Sequence, residues 1–530
     1  MSNPPEMILV YPPFVRPSEP PLGLATVAGA LKRAGVEHKV LDLNAEAFHV
    51  LLRADFPSPN PSDTFSKRAL NRLQDFVHKL CSPDILKEPR EYASAVSHIQ
   101  RALWLRTAGS GGPKVTLSDF KHPRLSPLSA QDLCRMALER SMGPVGKWLE
   151  QRLLQCLGST KARCLGISLQ YLSQALPAMA LVGAVKEAAP EVKIIMGGAL
   201  VSSWAKLGRL PRLSPWVDLL VPGKDLSPLA QILGVEPKRL KTDLPIPDFR
   251  EFPWGYYLSP QRVAPMFTSL GCYWGRCSFC PEAEKGKNFR FIAPKAIPDR
   301  MERILEQTQA QWIHITDNAI PPKSLTGLAK TRLGVRWFGF ARFEPILCSK
   351  SLASELYGSG CRMLQLGLES GSPRVLERLG KGTDLETVSR ILANLHGSGI
   401  ATYVYVLFGI PGETLEDARQ TLNFVIDNAE FIDYLHCSIL NLPRAGRFPG
   451  NLELTELGDR QGQDLSLYTG FRTAEGMDRK TARLFLQREF SKQPRISEIL
   501  RRDPPAFTSA HAALFHAAGN RAKANFPPCH

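Results

Sequence analysis

The chain lacks the marks of membrane, secreted and disulfide-stapled proteins. Its longest apolar stretch, ALPAMALVGAV, stops at Lys186, short of the roughly 18 residues that a membrane span needs. The N-terminus MSNPPEMILVYPP has no basic segment followed by an apolar one, so we expect no signal peptide. The 11 cysteines are an odd number scattered mostly singly over 530 residues, which argues against a disulfide scaffold. We therefore expect a cytoplasmic protein whose thiols are reduced.

Concentrated basic patches and phosphate-binding glycine loops are also missing. The net charge is +16, from 66 basic and 50 acidic residues, but the basic residues are dispersed along the chain. A nucleic-acid or lipid-headgroup partner would favour a concentrated basic surface or a known binding module. No G-x-G-x-x-G follows the first predicted strand, which counts against a dinucleotide site there. We expect no nucleic-acid partner and no membrane span.

What the first half does contain is an alternation of strand and helix patterns. LATVAGALKRA and LSQALPAMALVGAVKEAAP have helical patterns, and the short apolar runs around them are typical of buried strands. This alternation predicts a parallel doubly wound sheet that binds ligands at the carboxyl ends of its strands. The stretch from about 50 to 160 is polar with helical periodicity and is predicted to be a helical insertion. The predicted strands are 7–10, HKVLDL, 164–169, 192–198 and 217–223.

A second alternation begins after LPIPDFREFPWGYYLSP (244–260), which is rich in proline and aromatic residues and is predicted to be a linker. Six strand–helix units predict a partial (β/α)6 TIM-like barrel with its chemistry in the loops at the carboxyl ends. The six strands are predicted in VAPMFTSLGC, QWIHITD, VRWFGFARF, MLQLGLES, ATYVYVLFGIPG and YLHCSIL. We predict an α/β chain with a Rossmann-like domain over 1–245, a barrel over 246–445 and a small α-rich C-terminal extension over 446–530.

The most informative motif is GCYWGRCSFC at 271–280, which directly follows the first barrel strand. Cys272, Cys277 and Cys280 have the spacing C-x4-C-x2-C. A structural zinc site usually has four ligands in two paired hooks, and no further Cys or His follows within the next thirty residues. Three thiolates leave one iron of a cubane cluster open to a ligand. The spacing therefore favours an iron–sulfur cluster, with zinc and no metal as the alternatives.

This half of the chain resembles the radical S-adenosylmethionine (SAM) superfamily, whose usual spacing, C-x3-C-x2-C, is one residue shorter. The resemblance implies that the three cysteines hold a 4Fe–4S cluster and that SAM occupies the open iron. GLESGS (367–372) and FGIPGET (408–414) resemble the turns that contact SAM in such enzymes. The candidate SAM-binding residues are Phe279, Glu369, Ser370, Gly409, Gly412, Asp317 and Arg342.

Some polar residues near the predicted barrel have a simpler interpretation. For Asp317 and Arg342, which follow predicted strands, an ordinary salt bridge is the alternative to SAM binding. His436 and Cys437 are interpreted as core residues of the last barrel strand, with a position facing the substrate as the alternative. His314 is interpreted as structural.

The first domain resembles the cobalamin-binding domain that is fused to many radical SAM enzymes. By that resemblance Ser168, Gly197 and Gly198 are the candidates for the pocket of the nucleotide tail. Many cobalamin proteins ligate cobalt with a histidine in D-x-H-x-x-G, but the corresponding RPSEPPLGLA has none. This departure implies an open or water-bound lower face of cobalt, or no cobalamin at all.

Together the resemblances imply a cobalamin-dependent radical SAM enzyme, most simply a C-methyltransferase that uses a 5′-deoxyadenosyl radical and methylcobalamin. The implied substrate is a small molecule, lipid or peptide, and the implied electron donor is a reductase of the flavodoxin or ferredoxin type. The alternatives are another radical SAM reaction (rearrangement, cyclisation or methylthiolation), or a non-catalytic cobalamin or redox sensor.

Overall fold

The structure is a computed structural model of the chain. The chain folds into two compact units. The described residues are 6–108, 111–160, 162–241, 244–283, 289–446, 448, 453–455, 462–473, 475–505 and 511–518. Unit 1 runs to Arg262 and also includes Glu306–Gln309 and a short segment that ends at Leu467. Unit 2 comprises the remaining residues from Val263 onward.

Unit 1 is built on a five-stranded parallel sheet. Its strands are β1 (Met7–Tyr11), β2 (His38–Asp42), β5 (Cys164–Ser168), β6 (Lys193–Gly197) and β7 (Leu219–Val221). The sheet order is β2-β1-β5-β6-β7, so the chain runs outward from β1 in both directions, as in a doubly wound fold. The strand interiors are apolar and buried because helices cover both faces of such a sheet.

Helices connect these strands, and most of them lie between β2 and β5. Side-chain caps mark where some of them begin: Asp63 accepts a hydrogen bond from the Ser66 amide, and Ser129 accepts one from the Asp132 amide. The α-helices are α1 (Leu22–Arg33), α2 (Leu43–Leu51), α3 (Thr64–Asn71), α4 (Leu73–Cys81), α5 (Pro89–Ala108), α6 (Ala130–Glu139), α7 (Gly146–Thr160), α8 (Ala175–Ala188), α9 (Ala199–Lys206), α10 (Leu229–Leu233) and α11 (Pro237–Leu240). A hairpin of β3 (Lys114–Val115) and β4 (Phe120–Lys121) follows α5.

The segment predicted to be a linker packs into unit 1. Phe249 and Phe252 are buried, the Asp248 amide donates to the carbonyl of Ala25, and the hydroxyl of Tyr257 donates to the carboxylate of Asp42 at 2.7 Å. Residues 246–262 are part of unit 1, and burial of their aromatic side chains favours this packing.

Unit 2 contains a six-stranded parallel sheet with the order β15-β14-β13-β12-β11-β8. The chain thus adds one strand after another from β8 to β15, which is the arrangement of a partial α/β barrel. The strands are β8 (Val263–Met266), β11 (Trp312–Ile315), β12 (Arg336–Ala341), β13 (Cys361–Glu369), β14 (Ala401–Phe408) and β15 (Tyr434–Ile439). The helices are α12 (Ile297–Thr308), α13 (Pro322–Ala329), α14 (Lys350–Gly358), α15 (Pro373–Arg378), α16 (Leu385–Gly397) and α17 (Leu415–Asp427).

The end of the chain contains strands as well as helices. Helices α18 (Arg479–Arg488) and α19 (Pro494–Arg502) follow an antiparallel sheet of β16 (Leu442–Pro443), β18 (Tyr468–Arg472) and β17 (Glu453–Thr455). Among the described residues after 446, helix exceeds strand, as the prediction of an α-rich extension expects. Its two short strands were not predicted because they lie in polar sequence. A further two-stranded sheet pairs β9 (Ser269–Leu270) with β10 (Arg290–Phe291).

Among the described residues, none of the helices has the length and apolar character that crossing a membrane requires.

Candidate functional site

The three predicted cluster ligands lie on one loop beyond β9, which we call the cysteine loop (residues 271–280). Cys272, Cys277 and Cys280 are all partly exposed and none of them forms a disulfide. Gly271 and Gly275 have φ angles of 80° and 59°, in the left-handed region that glycine adopts without strain. These two glycines let the loop turn sharply between β9 and the last two cysteines.

The start of the cysteine loop is fixed by Asp317, which follows β11. Its carboxylate accepts hydrogen bonds from the amide and hydroxyl of Thr268, at 2.7 and 2.6 Å, and from the hydroxyl of Ser269 at 2.6 Å. Asp317 is only 2% exposed, and burial raises its pKa. In this structure its oxygens therefore hold the strand that enters the loop, and the predicted contact with SAM stays a prediction.

The middle of the loop is held by residues 378–382, which we call the RLGKG segment. The Ser278 amide donates to the carbonyl of Leu379 at 3.0 Å, and the Trp274 indole donates to the carbonyl of Gly380 at 2.9 Å. A Cβ atom at Gly382 would lie 2.4 Å from the Trp274 ring. The RLGKG segment must therefore keep its glycines for the loop to approach so closely.

Phe279 contributes an apolar anchor on the same loop. It packs against a buried cluster that includes Leu379, Leu407 and Ile410. The side chain therefore fixes the last turn before Cys280 by burial, and its predicted role in SAM binding is not tested by this packing.

Charged side chains surround the cysteine loop. Arg342 is 6% exposed, its guanidinium lies 4.0 Å from the centre of the Trp274 ring, and it donates to the carbonyl of Lys381. The Lys381 ammonium lies 3.2 Å from the carboxylate of Glu369. The guanidinium also pairs with Glu344 at 3.1 Å, so the salt-bridge interpretation of Arg342 describes its contact in this structure.

The thiols and these charges are close enough to influence one another. Burial raises the pKa of the Cys277 thiol, whereas the positive charges of Lys381 and Arg342 act in the opposite direction. Burial likewise raises the pKa of the Cys280 thiol to about 11, and the charges of the other two cysteines add to this effect. Since iron binds thiolates, cluster assembly would release these protons. Three mutually interacting thiols on one loop fit the ligand set of a cubane cluster.

The cysteine loop does not form a site for a single metal ion. In the described part of the chain, no three Cys, His, Asp or Glu side chains are grouped to hold one metal ion. In a cubane cluster each cysteine binds a different iron, so its thiols need not converge on one point.

Glu369 ends β13 in an unusual conformation that brings its carboxylate back over the sheet. Its φ angle is 68°, and its Oε1 lies 2.5 Å from where a Cβ of Gly367 would be. Through its ion pair with Lys381, Glu369 is linked to the RLGKG segment, which holds the cysteine loop. Ser370 is fully buried, and its hydroxyl lies 3.0 Å from that of Thr421, so this hydroxyl is engaged inside the turn.

The FGIPGET turn after β14 is buried as far as Glu413. Gly409 and Gly412 have positive φ angles of 71° and 78°, and a Cβ at Gly412 would overlap the guanidinium of Arg378. The carboxylate of Glu413 accepts from the amides of Gly409 at 2.6 Å and Ile410 at 3.2 Å. The turn thus closes on its own acidic residue, and the predicted SAM contacts of its glycines remain predictions.

In unit 1 the structure brings together the three residues predicted for cobalamin. Ser168 and Gly197 are partners at the ends of β5 and β6, and Gly198 follows directly. Gly198 has a φ angle of 105°, and a Cβ there would lie 2.2 Å from the carbonyl oxygen of Leu169. All three predicted residues are partly exposed at the carboxyl edge of the sheet.

The interpretation of His436 as a core residue is wrong, because its side chain is exposed. His436 is exposed beside Tyr405, with ring centres 5.3 Å apart. Cys437 faces the other way along β15, and burial raises its pKa to about 12. His314 stacks on Phe338 at 4.5 Å, in line with its structural interpretation.

Sequence reasoning missed Lys381 and Trp274, which contact the predicted site directly. Trp274 lies inside the cysteine motif, and Lys381 stands between two glycines. A charged residue flanked by glycines, shortly after helix α15, was the available signal for Lys381.

Comparison with known proteins agrees with this geometry. Residues 266–425 match the model of the radical SAM superfamily. This segment is a radical SAM domain. The domain contains the cysteine loop, Glu369 and Lys381, so the predicted resemblance is confirmed.

Two curated relatives are similar to parts of the chain. Over 210 residues, it is 30% identical to bacteriochlorophyllide d C-12(1)-methyltransferase of Chlorobaculum tepidum, covering 38% of this chain and 43% of the relative. Over 192 residues, it is 27% identical to tryptophan 2-C-methyltransferase of Streptomyces laurentii, covering 32% and 31%. The chain thus spans less than half the length of these two relatives.

One solved structure extends the likeness beyond the radical SAM domain. The cobalamin-dependent SAM radical enzyme OxsB, solved with aqua-cobalamin and SAM bound, aligns with a TM-score of 0.55 and 13% identity. The alignment covers 99% of this chain and 74% of OxsB. At this identity it shows the fold, and with the two parallel sheets it confirms the predicted α/β fold class.

Proposed function

We propose that the chain is a cobalamin-dependent radical SAM enzyme that transfers a methyl group to carbon. The single observation that carries the proposal is the cysteine loop within a radical SAM domain. Its three thiols are partly exposed, and the charges of Lys381, Arg342 and Glu369 act on Cys277. The names of the two relatives, both methyltransferases, support the choice of methyl transfer.

Cys272, Cys277 and Cys280 would hold the 4Fe–4S cluster. When bound, such a cluster supplies the electron that cleaves SAM and so gives a 5′-deoxyadenosyl radical. The protein fixes the ligands from three sides: Asp317 holds the entry to the loop, the RLGKG segment holds its middle, and Phe279 anchors its end. Their combined effect is to place the thiols before the cluster arrives, which lowers the entropy cost of binding.

The charged side chains around the loop suit the two charged groups of SAM. The Lys381 ammonium attracts a carboxylate, and the Glu369 carboxylate attracts an ammonium group. In the structure these two side chains pair with each other. When SAM binds, its carboxylate can take the place of Glu369 beside Lys381, and its ammonium group can take the place of Lys381 beside Glu369. The pair would thereby orient SAM without leaving a buried charge unpaired.

Cobalamin is proposed for the carboxyl edge of the unit 1 sheet. Ser168, Gly197 and Gly198 are partly exposed there, where a doubly wound sheet binds its ligands beside the strand ends. The likeness of fold to OxsB, whose structure holds aqua-cobalamin, extends over this unit. The division into 1–245, 246–445 and 446–530 is retained as a proposal, with residues 246–262 packed on the first unit.

The remaining partners follow from the chemistry. A small-molecule, lipid or peptide substrate and a reductase of the flavodoxin or ferredoxin type would complete the reaction, because SAM cleavage consumes an electron. We place the protein in the cytoplasm, since its described cysteines are free thiols.

The cluster assignment is tested by counting iron. The full chain is purified without oxygen, reconstituted with iron and sulfide, and compared with a variant that carries C272A, C277A and C280A. We expect about four iron atoms per chain to be lost in the variant. The matched control is C348A, because Cys348 is equally accessible but lies outside the loop. Iron that is unchanged in the triple variant would refute the proposal.

The reaction class is tested with labelled SAM and hydroxocobalamin. A methyltransferase of this class forms both 5′-deoxyadenosine and S-adenosylhomocysteine. Deoxyadenosine without S-adenosylhomocysteine would indicate another radical reaction. Neither product, from a chain that holds its iron, would indicate a sensor.

A further inference from the structure

One row of residues crosses the sheet face of unit 2 that carries the cysteine loop. Strand pairing sets Gly367 of β13 opposite Tyr405 of β14, and Tyr405 opposite His436 of β15. Arg342 directly follows β12, and the last residue of β12 pairs with the residue before Gly367. Arg342 is therefore level with Gly367. Because opposite residues on paired strands point to the same face, about 4.8 Å apart, these four residues form a continuous row.

One end of this row is the proposed SAM site. A Cβ at Gly367 would lie 2.5 Å from the Glu369 carboxylate and 3.1 Å from the Lys381 ammonium. The ion pair therefore sits over Gly367, and the side chain of Tyr405 starts on the neighbouring strand. A molecule lying on Tyr405 would be next to the groups proposed to orient SAM.

Aromatic rings surround the Tyr405 ring, with Phe340 and Tyr403 in the row below and His436 in the same row. Around the Tyr405 ring, the centre of Phe340 lies at 5.4 Å with a tilt of 48°, Tyr403 at 4.9 Å with 28°, and His436 at 5.3 Å with 45°. Tyr403 is fully buried and supports the Tyr405 ring from the row below. Phe340 and Tyr405 are half-buried and His436 is exposed, so aromatic surface remains accessible here.

We propose that Phe340, Tyr405 and His436 bind a flat, conjugated ring of the substrate. The inference rests on the proposed function, because the row ends at the proposed SAM site. Aromatic faces carry a quadrupole and favour another ring in an offset or tilted arrangement. A saturated chain has no ring and lacks this interaction. The exposed imidazole of His436 can exchange a hydrogen bond with a nitrogen or oxygen at the edge of that ring. A conjugated ring bearing a polar edge is thus the substrate class that this surface selects.

The test measures binding without turnover. The full chain, reconstituted with iron and sulfide, is dialysed against three flat probes (indole-3-propionate, 1-pyrenebutyrate and coproporphyrin III) and one saturated probe, dodecanoate. We expect at least one flat probe to bind ten times more tightly than dodecanoate. Tighter binding of dodecanoate would overturn the proposal in favour of a lipid chain, and equal binding of all four would overturn it outright.

Variants locate the binding surface. Y405L should weaken binding of the flat probe about tenfold, whereas Y405F, which keeps the ring, should stay within twofold. H436A should weaken indole-3-propionate more than 1-pyrenebutyrate, whose ring edge has no polar atom. The matched control is Y357L on helix α14, because Tyr357 is also half-buried but lies outside the row. Equal effects of Y405L and Y357L would overturn the assignment.

Failure of this inference can be told apart from failure of the proposed function. A chain that makes deoxyadenosine but does not prefer flat probes contradicts only the substrate class. A chain that binds flat probes at Tyr405 but loses no iron in the triple cysteine variant contradicts the proposed function instead. If Y405L fails to fold, the preference of the unaltered chain and the Y405F comparison still decide.

Discussion

Replacing Glu413 with glutamine changes a carboxyl group that closes the turn after β14. Glu413 is fully buried, its Oε2 accepts from the amides of Gly409 and Ile410, and its Oε1 has no hydrogen-bond partner in the described part of the chain. Burial raises the pKa of Glu413 from 4.5 to about 8, and the two amides offset this only in part. The carboxyl group is therefore mainly protonated in the folded chain at neutral pH.

The sign of the effect follows from the direction of this shift. The folded pKa exceeds the unfolded one, so the contribution of Glu413 to stability is complete below about pH 4.5 and is lost as the pH rises through about 8. One pKa unit corresponds to about 1.4 kcal/mol, so the free energy of unfolding falls by roughly 3 kcal/mol between pH 4.5 and 7. Glutamine offers an acceptor to both amides and does not ionise. We expect E413Q to be nearly neutral at pH 4.5 and stabilising by several kcal/mol at pH 8.

The assay is urea unfolding of the wild-type chain and of E413Q at several pH values. Hydrogen exchange of the amides in the turn and in β14 is then measured on both proteins. The exchange measurement is local and does not require the two units to unfold together. E416Q is the control, because Glu416 is exposed on helix α17 nearby and its replacement should change little at either pH. If wild type and E413Q lose stability in parallel as the pH rises, the buried acid does not behave as its surroundings require.

Three further changes test the packing around the two sites. G382A would place a Cβ 2.4 Å from the Trp274 ring, so it should displace the cysteine loop and lower the iron content measured after reconstitution. The control is G358A, which should keep all its iron because the space around Gly358 is open. D317A leaves three donors around Thr268 without their acceptor and should lower the free energy of unfolding by roughly 3 kcal/mol in a urea titration; an unchanged midpoint would contradict this role. Burial raises the pKa of Asp42 to about 6, so stability should fall as the pH rises from 3.8 through 6, and D42N should flatten that profile in thermal melts; an equal slope would count against it.

The sequence predicted the strands well because apolar runs and periodicity are local signals. All six predicted barrel strands are present, and the five predicted strands of unit 1 form one parallel sheet. The segment 244–260 resembles a linker in sequence because proline and aromatic residues follow one another in it. Its aromatic side chains become buried only through contacts with distant residues, as between Tyr257 and Asp42.

The candidate site was predictable only in part, for the same reason. The cysteine spacing is a local pattern, and it identified the loop. The RLGKG segment lies about a hundred residues further along the chain. Nothing in its own composition indicates that its carbonyls accept hydrogen bonds from Trp274 and Ser278. Ser370, Gly409 and Gly412 show the converse: their motif is local, but the structure buries all three. Burial depends on neighbours that a linear pattern does not contain.

The contact between Trp274 and Gly380 joins residues 106 positions apart, which has a consequence for how the protein matures. A ribosome adds about 5–20 residues per second, so the loop waits for several seconds or more before its anchoring carbonyls have even been synthesised. During that interval Asp317 can already hold the start of the loop, but the carbonyls that hold its middle do not yet exist. Delivery of iron and sulfide by carrier proteins is then most productive after translation has passed this point, on a polypeptide that has already closed around its own loop.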